Sequence, residues 1–184
     1  LRLLQHADGP LRDFLQSIGA WEPSWIPPAP EPAAYLEGPM TSQADWLIAH
    51  GNYFTAAEVQ RLADRSRQDS VRRSIVYCPR THAYFGHSRH PYSQMLAAGL
   101  TVCLGTDSLA STPSLSILDE MRFLHRRDPS LPTATILHMA TLAGASALGR
   151  ESVCGSLTPG KFADLAVVRL PAREDEDPHR FLLQ

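Results

Sequence analysis

Apolar and polar positions along this chain fall into blocks, and the period of the blocks changes. Leu1, Leu4, Leu11, Phe14, Leu15 and Ile18 mostly keep helical spacing, and Gly9-Pro10 splits that stretch into two predicted helices. The prolines at 23, 27, 28, 30, 32 and 39 exclude regular helix and central strand over residues 22–39. That stretch is predicted to be a long surface loop, long enough to cross the mouth of a site. From residue 46 a repeat of strand, loop and helix begins. Trp46 to Ala49 reads as a short strand. Thr55 to Arg67 reads as a helix with Thr55 as N-cap and Glu58 completing a capping box. Ser74 to Cys78 is the next strand, residues 79–90 a polar loop, and Pro91 to Ala98 a helix closed by Gly99. Leu100 to Leu104 is a third strand. Leu115 to Arg127 follows as a helix, then Thr133 to Leu148 as one helix closed by Gly149. Strands alternating with helices predict a parallel sheet, and continuous apolar strands suit burial on both faces. Gly155 to Gly160 is turn-rich, and Ala163 to Leu170 reads as a strand on a different surface. Glu174-Asp175-Glu176-Asp177 reads as a solvated, frayed charge run.

Composition narrows the classes. A chain of 184 residues is enough for one domain with a sizeable core. Hydrophobic content of 43%, charged content of 20% and a formal charge of −2 carry no electrostatic footprint for nucleic acid or an anionic membrane. No apolar stretch approaches the roughly 20 residues of a membrane span, and no leader pattern is visible. Cys78, Cys103 and Cys154 are an odd number at wide spacing, two of them inside apolar runs. They read as reduced core residues of a cytoplasmic protein. The chain begins with Leu1 inside a helical pattern, which suggests a processed start or part of something longer.

Two residues carry most of the candidate chemistry. Asp107 lies in Leu104-Gly105-Thr106-Asp107-Ser108, directly after the third apolar strand. His50 follows Trp46-Leu47-Ile48-Ala49 in the same way. Taken singly, Asp107 reads equally well as a turn or cap residue, and His50 reads better as a satisfied core histidine. Taken together, a His and an Asp at the carboxyl ends of separate strands are how a barrel enzyme presents groups to a metal or polar substrate. The 79–90 loop adds His82, His87, His90, Arg80, Arg89, Tyr84 and Phe85. His82 is favoured as a substrate contact, and Arg80 is able to pair with an anionic group. Ser108, beside Asp107, is assigned to substrate binding with them. His87 and His90 are expected to contact substrate or solvent, Asp119 and Glu120 to be exposed or structural, and His125 and His138 to be structural. His-x-His, His-x-x-Glu, Cys-x-x-Cys, Gly-x-Ser-x-Gly and phosphate-cradling glycine loops are all absent from the sequence.

Several stretches resemble the amidohydrolase superfamily. They are Ile48-Ala49-His50-Gly51-Asn52, Cys78-Pro79-Arg80-Thr81-His82-Ala83-Tyr84-Phe85-Gly86, and Leu104-Gly105-Thr106-Asp107-Ser108-Leu109-Ala110-Ser111. Met139-Ala140-Thr141-Leu142-Ala143-Gly144-Ala145 and Gly155-Ser156-Leu157-Thr158-Pro159-Gly160-Lys161-Phe162-Ala163-Asp164-Leu165 continue the series. The likeness is to the deaminase and chlorohydrolase branch, with S-adenosylhomocysteine, guanine and aminodeoxyfutalosine deaminases. It implies an α/β fold, the C-terminal part of a TIM barrel followed by a piece of a small β-sandwich. Residues 1–45 would follow the fifth barrel strand, 46–150 would hold strands six to eight, 151–170 would return to the sandwich, and 171–184 would be the tail.

The same resemblance implies one divalent metal, zinc or iron. In the family it is held by a His-x-His pair, a further His and the Asp after the eighth strand. Asp107 matches that Asp, and His50 matches the sixth-strand His beside the metal-bound water. The other ligands and the acidic residue that protonates the substrate ring nitrogen are missing. The implied function is metal-dependent hydrolysis of a carbon–nitrogen bond, deamination of an aminated purine or related heterocycle, with this chain as the C-terminal portion and inactive alone. The alternative is an inactive remnant serving as a structural or interaction module. The expected partner is a small heterocyclic substrate, with no nucleic acid and no membrane; homodimer formation stays open.

Overall fold

The computed structural model describes residues 3, 6–23, 44–170 and 177–183. Its centre is a parallel sheet of three strands in the order β1 (Trp46–Ala49), β2 (Arg73–Tyr77), β3 (Thr101–Leu104). Register places Ala49 beside Val76 and Val76 beside Cys103. Side chains alternate across such a sheet. One face carries Ile48, Ile75, Tyr77, Val102 and Leu104 into the main core. The opposite face carries Val76, which together with Cys78 crowds the backbone at Gly105.

Helices cover the core face for local reasons legible in their sequences. In α2 (Ala56–Gln68), the Thr55 side chain accepts from Glu58 N at 3.2 Å while Glu58 Oε2 accepts from Thr55 N at 2.7 Å. This reciprocal cap satisfies two backbone donors and starts the helix where its apolar stripe begins. That stripe, Val59, Leu62 and Ala63, is buried. Tyr92 and Met95 of α4 (Tyr92–Ala97) join it, as do Met121 and Leu124 of α5 (Ile117–Arg127) and Ile136 and Met139 of α6 (Thr133–Ala140). At the other end of the chain, α1 (Pro10–Ser17) buries none of its residues, and Leu11, Phe14 and Ile18 remain more than half exposed.

Four expectations change. The supposed loop 79–90 begins as a helix, α3 (Pro79–Tyr84), because Pro79 at its first position pre-sets the backbone and Thr81 and His82 face inward. The single helix predicted over 133–148 is two, α6 and α7 (Leu142–Ala147), broken at Thr141 with φ −130 and ψ −92. There the Thr141 hydroxyl donates to Leu137 O at 2.7 Å, an alternative to helical pairing. Ala163 to Leu170 is not a strand: it finds no ladder partner among the described residues, and Val167 is 96% exposed. Asp177, grouped with the frayed tail, instead caps α8 (Pro178–Leu182) by accepting from His179 N, and accepts from the Thr133 hydroxyl at 3.1 Å. That helix sends Phe181 and Leu183 into buried positions. The proline-rich expectation over 22–39 falls mostly on residues outside the described ones, as do residues 171–176.

Cys78 and Cys103 are buried and Cys154 half-buried, all three as free thiols. Among the described residues no helix is long and apolar enough to cross a membrane. Gly105 allows the closest approach near the sheet end: a Cβ there would stand 2.5 Å from Val76 Cγ1 and 3.1 Å from Cys78 Sγ. Gly105→Ala is therefore expected to destabilise the fold by about 1–3 kcal/mol through overpacking, read as a lower urea midpoint with an unchanged slope.

Candidate active site

Parallel strands put all their carboxyl ends at one rim. His50 follows β1 directly, and its N–H donates to Val76 O at 2.8 Å, prolonging the ladder by one bond. Across β3, Gly105 N donates to Tyr77 O at 2.9 Å before the chain turns into Thr106 and Asp107. His50 has φ 66 and Asp107 φ 60; with Ala7 they are the non-glycine residues of positive φ among those described. Such a backbone costs on the order of 1–3 kcal/mol per residue and persists only where its surroundings hold it. Here the effect is to turn two side chains back over the rim, so that His50 Nε2 and Asp107 Oδ2 lie 3.7 Å apart, each about a third exposed.

That separation is longer than a hydrogen bond. It lets both groups address one small species between them while remaining open to solvent. Asp107 Oδ1 is already engaged, accepting from Ser108 N at 2.8 Å, so Oδ2 is the free oxygen. Ser108 is exposed; its carbonyl accepts from Ser111 N and Thr112 N, which makes it the pivot of a tight turn behind Asp107.

Helix α3 holds that turn from the side. Thr81 Oγ1 and Ser111 Oγ are hydrogen-bonded at 2.8 Å. Arg80 does more: its backbone N donates to Glu120 Oε2 at 3.0 Å and its Nε to Glu120 Oε1 at 2.7 Å. Its terminal nitrogens donate to Ser114 Oγ, Ser114 O and Ser116 O. The expected substrate role for Arg80 therefore gives way: its donors are engaged inside the protein, binding the segment after β2 to the segment after β3. Glu120, fully buried, is structural and not exposed. Burial pushes its carboxyl above the usual range, against the hydrogen bonds and charge of Arg80. The hydrogen bond from Ser114 holds Asp119 below its ordinary value.

The histidines divide by burial. His82 is buried against the edge of Tyr77, and its Nε2 is enclosed with no hydrogen-bond partner. Burial lowers its pKa. His87 is half-buried, with Nδ1 2.8 Å from the Tyr53 hydroxyl. His90, expected at substrate or solvent, is instead 3% exposed, with Nε2 on His50 O and Nδ1 on Tyr92 N. Desolvation drives its pKa down to about 4. Burial, then the charges of Asp107 and Glu120, push the Cys78 thiol up to about 12, so it is no nucleophile at neutral pH. His125 is half-buried with Nδ1 unpartnered, and His138 is exposed. Sequence reasoning missed His90 and the Arg80–Glu120 pair. Each joins residues 40 positions apart, for which a linear pattern holds no cue.

The free carboxylate oxygen Asp107 Oδ2 is a donor that zinc accepts, and it fits a divalent cation as one member of its ligand set. His50 Nε2, 3.7 Å away, stands where it can hydrogen-bond a small species held there. The described residues hold no cluster of three or more His, Cys, Asp or Glu able to bind a metal.

A parallel sheet with helices on its core face and polar side chains gathered at its carboxyl rim is an α/β arrangement of the kind that presents ligands at the strand ends. Residues 31–182 match the model of the amidohydrolase family, and the chain belongs to that family. The resemblance read from the motifs, to the deaminase branch, agrees with the relatives. A 5-methylthioadenosine/S-adenosylhomocysteine deaminase of Halobacterium salinarum is 36% identical over 135 residues, covering 70% of this chain and 30% of the relative. Among solved structures, an adenosine deaminase from Xanthomonas campestris with bound zinc superposes with a TM-score of 0.59 at 25% identity. It covers 89% of this chain and 32% of that one. An atrazine chlorohydrolase from Arthrobacter aurescens complexed with zinc also gives 0.59 at 25% identity, covering 74% and 31%. These neighbours imply a TIM-barrel-type fold. The chain spans about a third of the length of the curated relatives it matches.

Proposed function

We propose that the complete enzyme containing this chain is a metal-dependent aminohydrolase. It removes ammonia from an aminated purine or related heterocycle, and the sheet described here is the late part of its barrel. The observation that carries this reading is the meeting of His50 and Asp107 at 3.7 Å over one rim, each turned there by a left-handed backbone. The deaminases among the relatives supply the reaction class, and the zinc in two of the structural neighbours supplies the metal class, with iron as the other candidate.

In this reading Asp107 Oδ2 would be this chain's ligand to the ion, with His50 beside it. Zinc sites use roughly three or four protein ligands, so further ligands would come from outside the described residues. The ion, when bound, would supply a water whose pKa is lowered to about 7. Asp107 accepts the water proton at Oδ2 and passes it to the departing amine. His50 Nε2 donates to the attacking oxygen as charge develops there. The ring carbon exchanges its C–N bond for a C–O bond; one water is consumed and one ammonia released. His82 Nε2, enclosed and unpartnered, and the exposed Ser108 hydroxyl are the remaining candidates for contact with the heterocycle. Arg80 acts only by holding the loops.

The test is ammonia release by the complete enzyme from a panel of 5′-methylthioadenosine, S-adenosylhomocysteine, adenosine and guanine. Release from at least one is expected, lost after dialysis against a chelator and restored by zinc or ferrous ion. Release from none, or release indifferent to chelation, overturns the reading. The 184-residue chain alone is expected to retain no stoichiometric zinc after desalting.

A further inference from the structure

We propose that His90 is the positioning residue of the site: it sets the backbone of His50, and through it the direction of the His50 imidazole. The inference rests on the reading above for its kinetic consequence but on geometry alone for its structural one. His50 leaves β1 in a left-handed conformation that a side chain with a Cβ does not favour. Two backbone groups decide whether that conformation holds. The His50 N–H is tied to β2 through Val76 O at 2.8 Å. The His50 carbonyl is the other handle, and it accepts from His90 Nε2 at 2.6 Å.

The tautomer follows from the partners. Tyr92 N, 3.0 Å from His90 Nδ1, is a backbone amide and only donates. Nδ1 is therefore the accepting nitrogen and the ring proton sits on Nε2, where the His50 carbonyl needs a donor. One nitrogen closes the local turn at Tyr92 while the other reaches across to β1. The ring cannot swing away, because it is 3% exposed and stacked on Tyr77 with centroids 4.1 Å apart and planes 27° from parallel. Tyr92 stacks on Tyr77 in turn, with centroids at 5.1 Å. A purely space-filling role would need the stacked ring and the Nδ1 contact but not Nε2. A positioning role depends on Nε2, and the two roles separate there.

Two substitutions separate them. His90→Gln carries an amide N–H to about the place of Nε2 and has nothing at Nδ1. His90→Asn places an amide oxygen at about Nδ1 and does not reach His50. In the complete enzyme, His90→Asn is expected to lower kcat about 100-fold at nearly unchanged KM, the scale of a displaced catalytic group. His90→Gln is expected to stay within roughly threefold of the parent, the scale of one modestly weakened hydrogen bond. Crystal structures of the parent and both variants supply the second readout, which needs no activity. His50 is expected to keep its positive φ and its approach to Asp107 in the parent and in His90→Gln, and to lose both in His90→Asn. An Asn variant with parental kcat, equal losses in the two variants, or an unmoved His50 in His90→Asn overturns the proposal. Absence of deamination by the parent overturns the functional reading instead, and the structures still decide the role of His90.

Discussion

Asp107→Asn in the complete enzyme is expected to lower kcat by about 10³-fold or more, with little change in unfolding midpoint. The substitution keeps the shape of the side chain, and the amide oxygen still accepts from Ser108 N, so the turn behind residue 107 survives. What changes is the atom now facing His50. Oδ2 becomes an NH2 group, which neither accepts the water proton nor contributes negative charge to a cation. Substrate contacts are untouched, so KM moves far less than kcat, the pattern of an interaction made only on the way to the transition state. Steady-state kinetics with metal content measured on the same sample is the check. A variant that keeps full turnover would remove Asp107 from the reaction and leave only the turn.

The second large effect is on stability. Glu120→Ala is expected to destabilise the fold by about 3–5 kcal/mol, because it leaves the enclosed Arg80 guanidinium without its buried partner, with only the partly exposed Asp119 at 3.6 Å still facing it. Arg80 is 11% exposed and Glu120 not exposed at all, so water does little to screen the loss. Against a typical stability of about 5–15 kcal/mol that is a large share. Activity is expected to fall as well, because the same guanidinium donates to Ser114 O and Ser116 O and so steadies the segment that follows Asp107. A double variant, Glu120→Leu with Arg80→Met, is expected to recover part of that loss by replacing both charges with apolar bulk, short of the parent because Ser114 O and Ser116 O lose their donor. Urea unfolding of the two variants checks both statements. A loss below about 1 kcal/mol in Glu120→Ala, the range of exposed pairs, would show that the pair holds nothing together.

The pair also shows why the site was only half legible. His50 and Asp107 stand out in the sequence because each interrupts an apolar run with a polar group, and parallel strands oblige such interruptions to share a rim. The helix of 56–68 was equally open to reading, since Thr55 and Glu58 carry their cap within four residues. Arg80 misled: nothing near it in the chain announces that its partner is a glutamate 40 residues on, so a cation in a polar stretch passed for a ligand contact. His90 misled in the same way, reading as a loop histidine when its ring lies under the sheet end.

Periodicity, caps and turn residues act over one to four positions, and at that range the chain alone determined three strands, most helices and two of the polar groups at the rim. Decisions that needed a partner from far along the chain waited for the fold. Pro79 to Tyr84 became helical once its buried side had something to pack against. Ala163 to Leu170 formed no strand because a strand is made by its neighbour. The left-handed turns at His50 and Asp107 hold because Val76, His90 and Ser108 grip them, and a linear pattern carries no record of that grip.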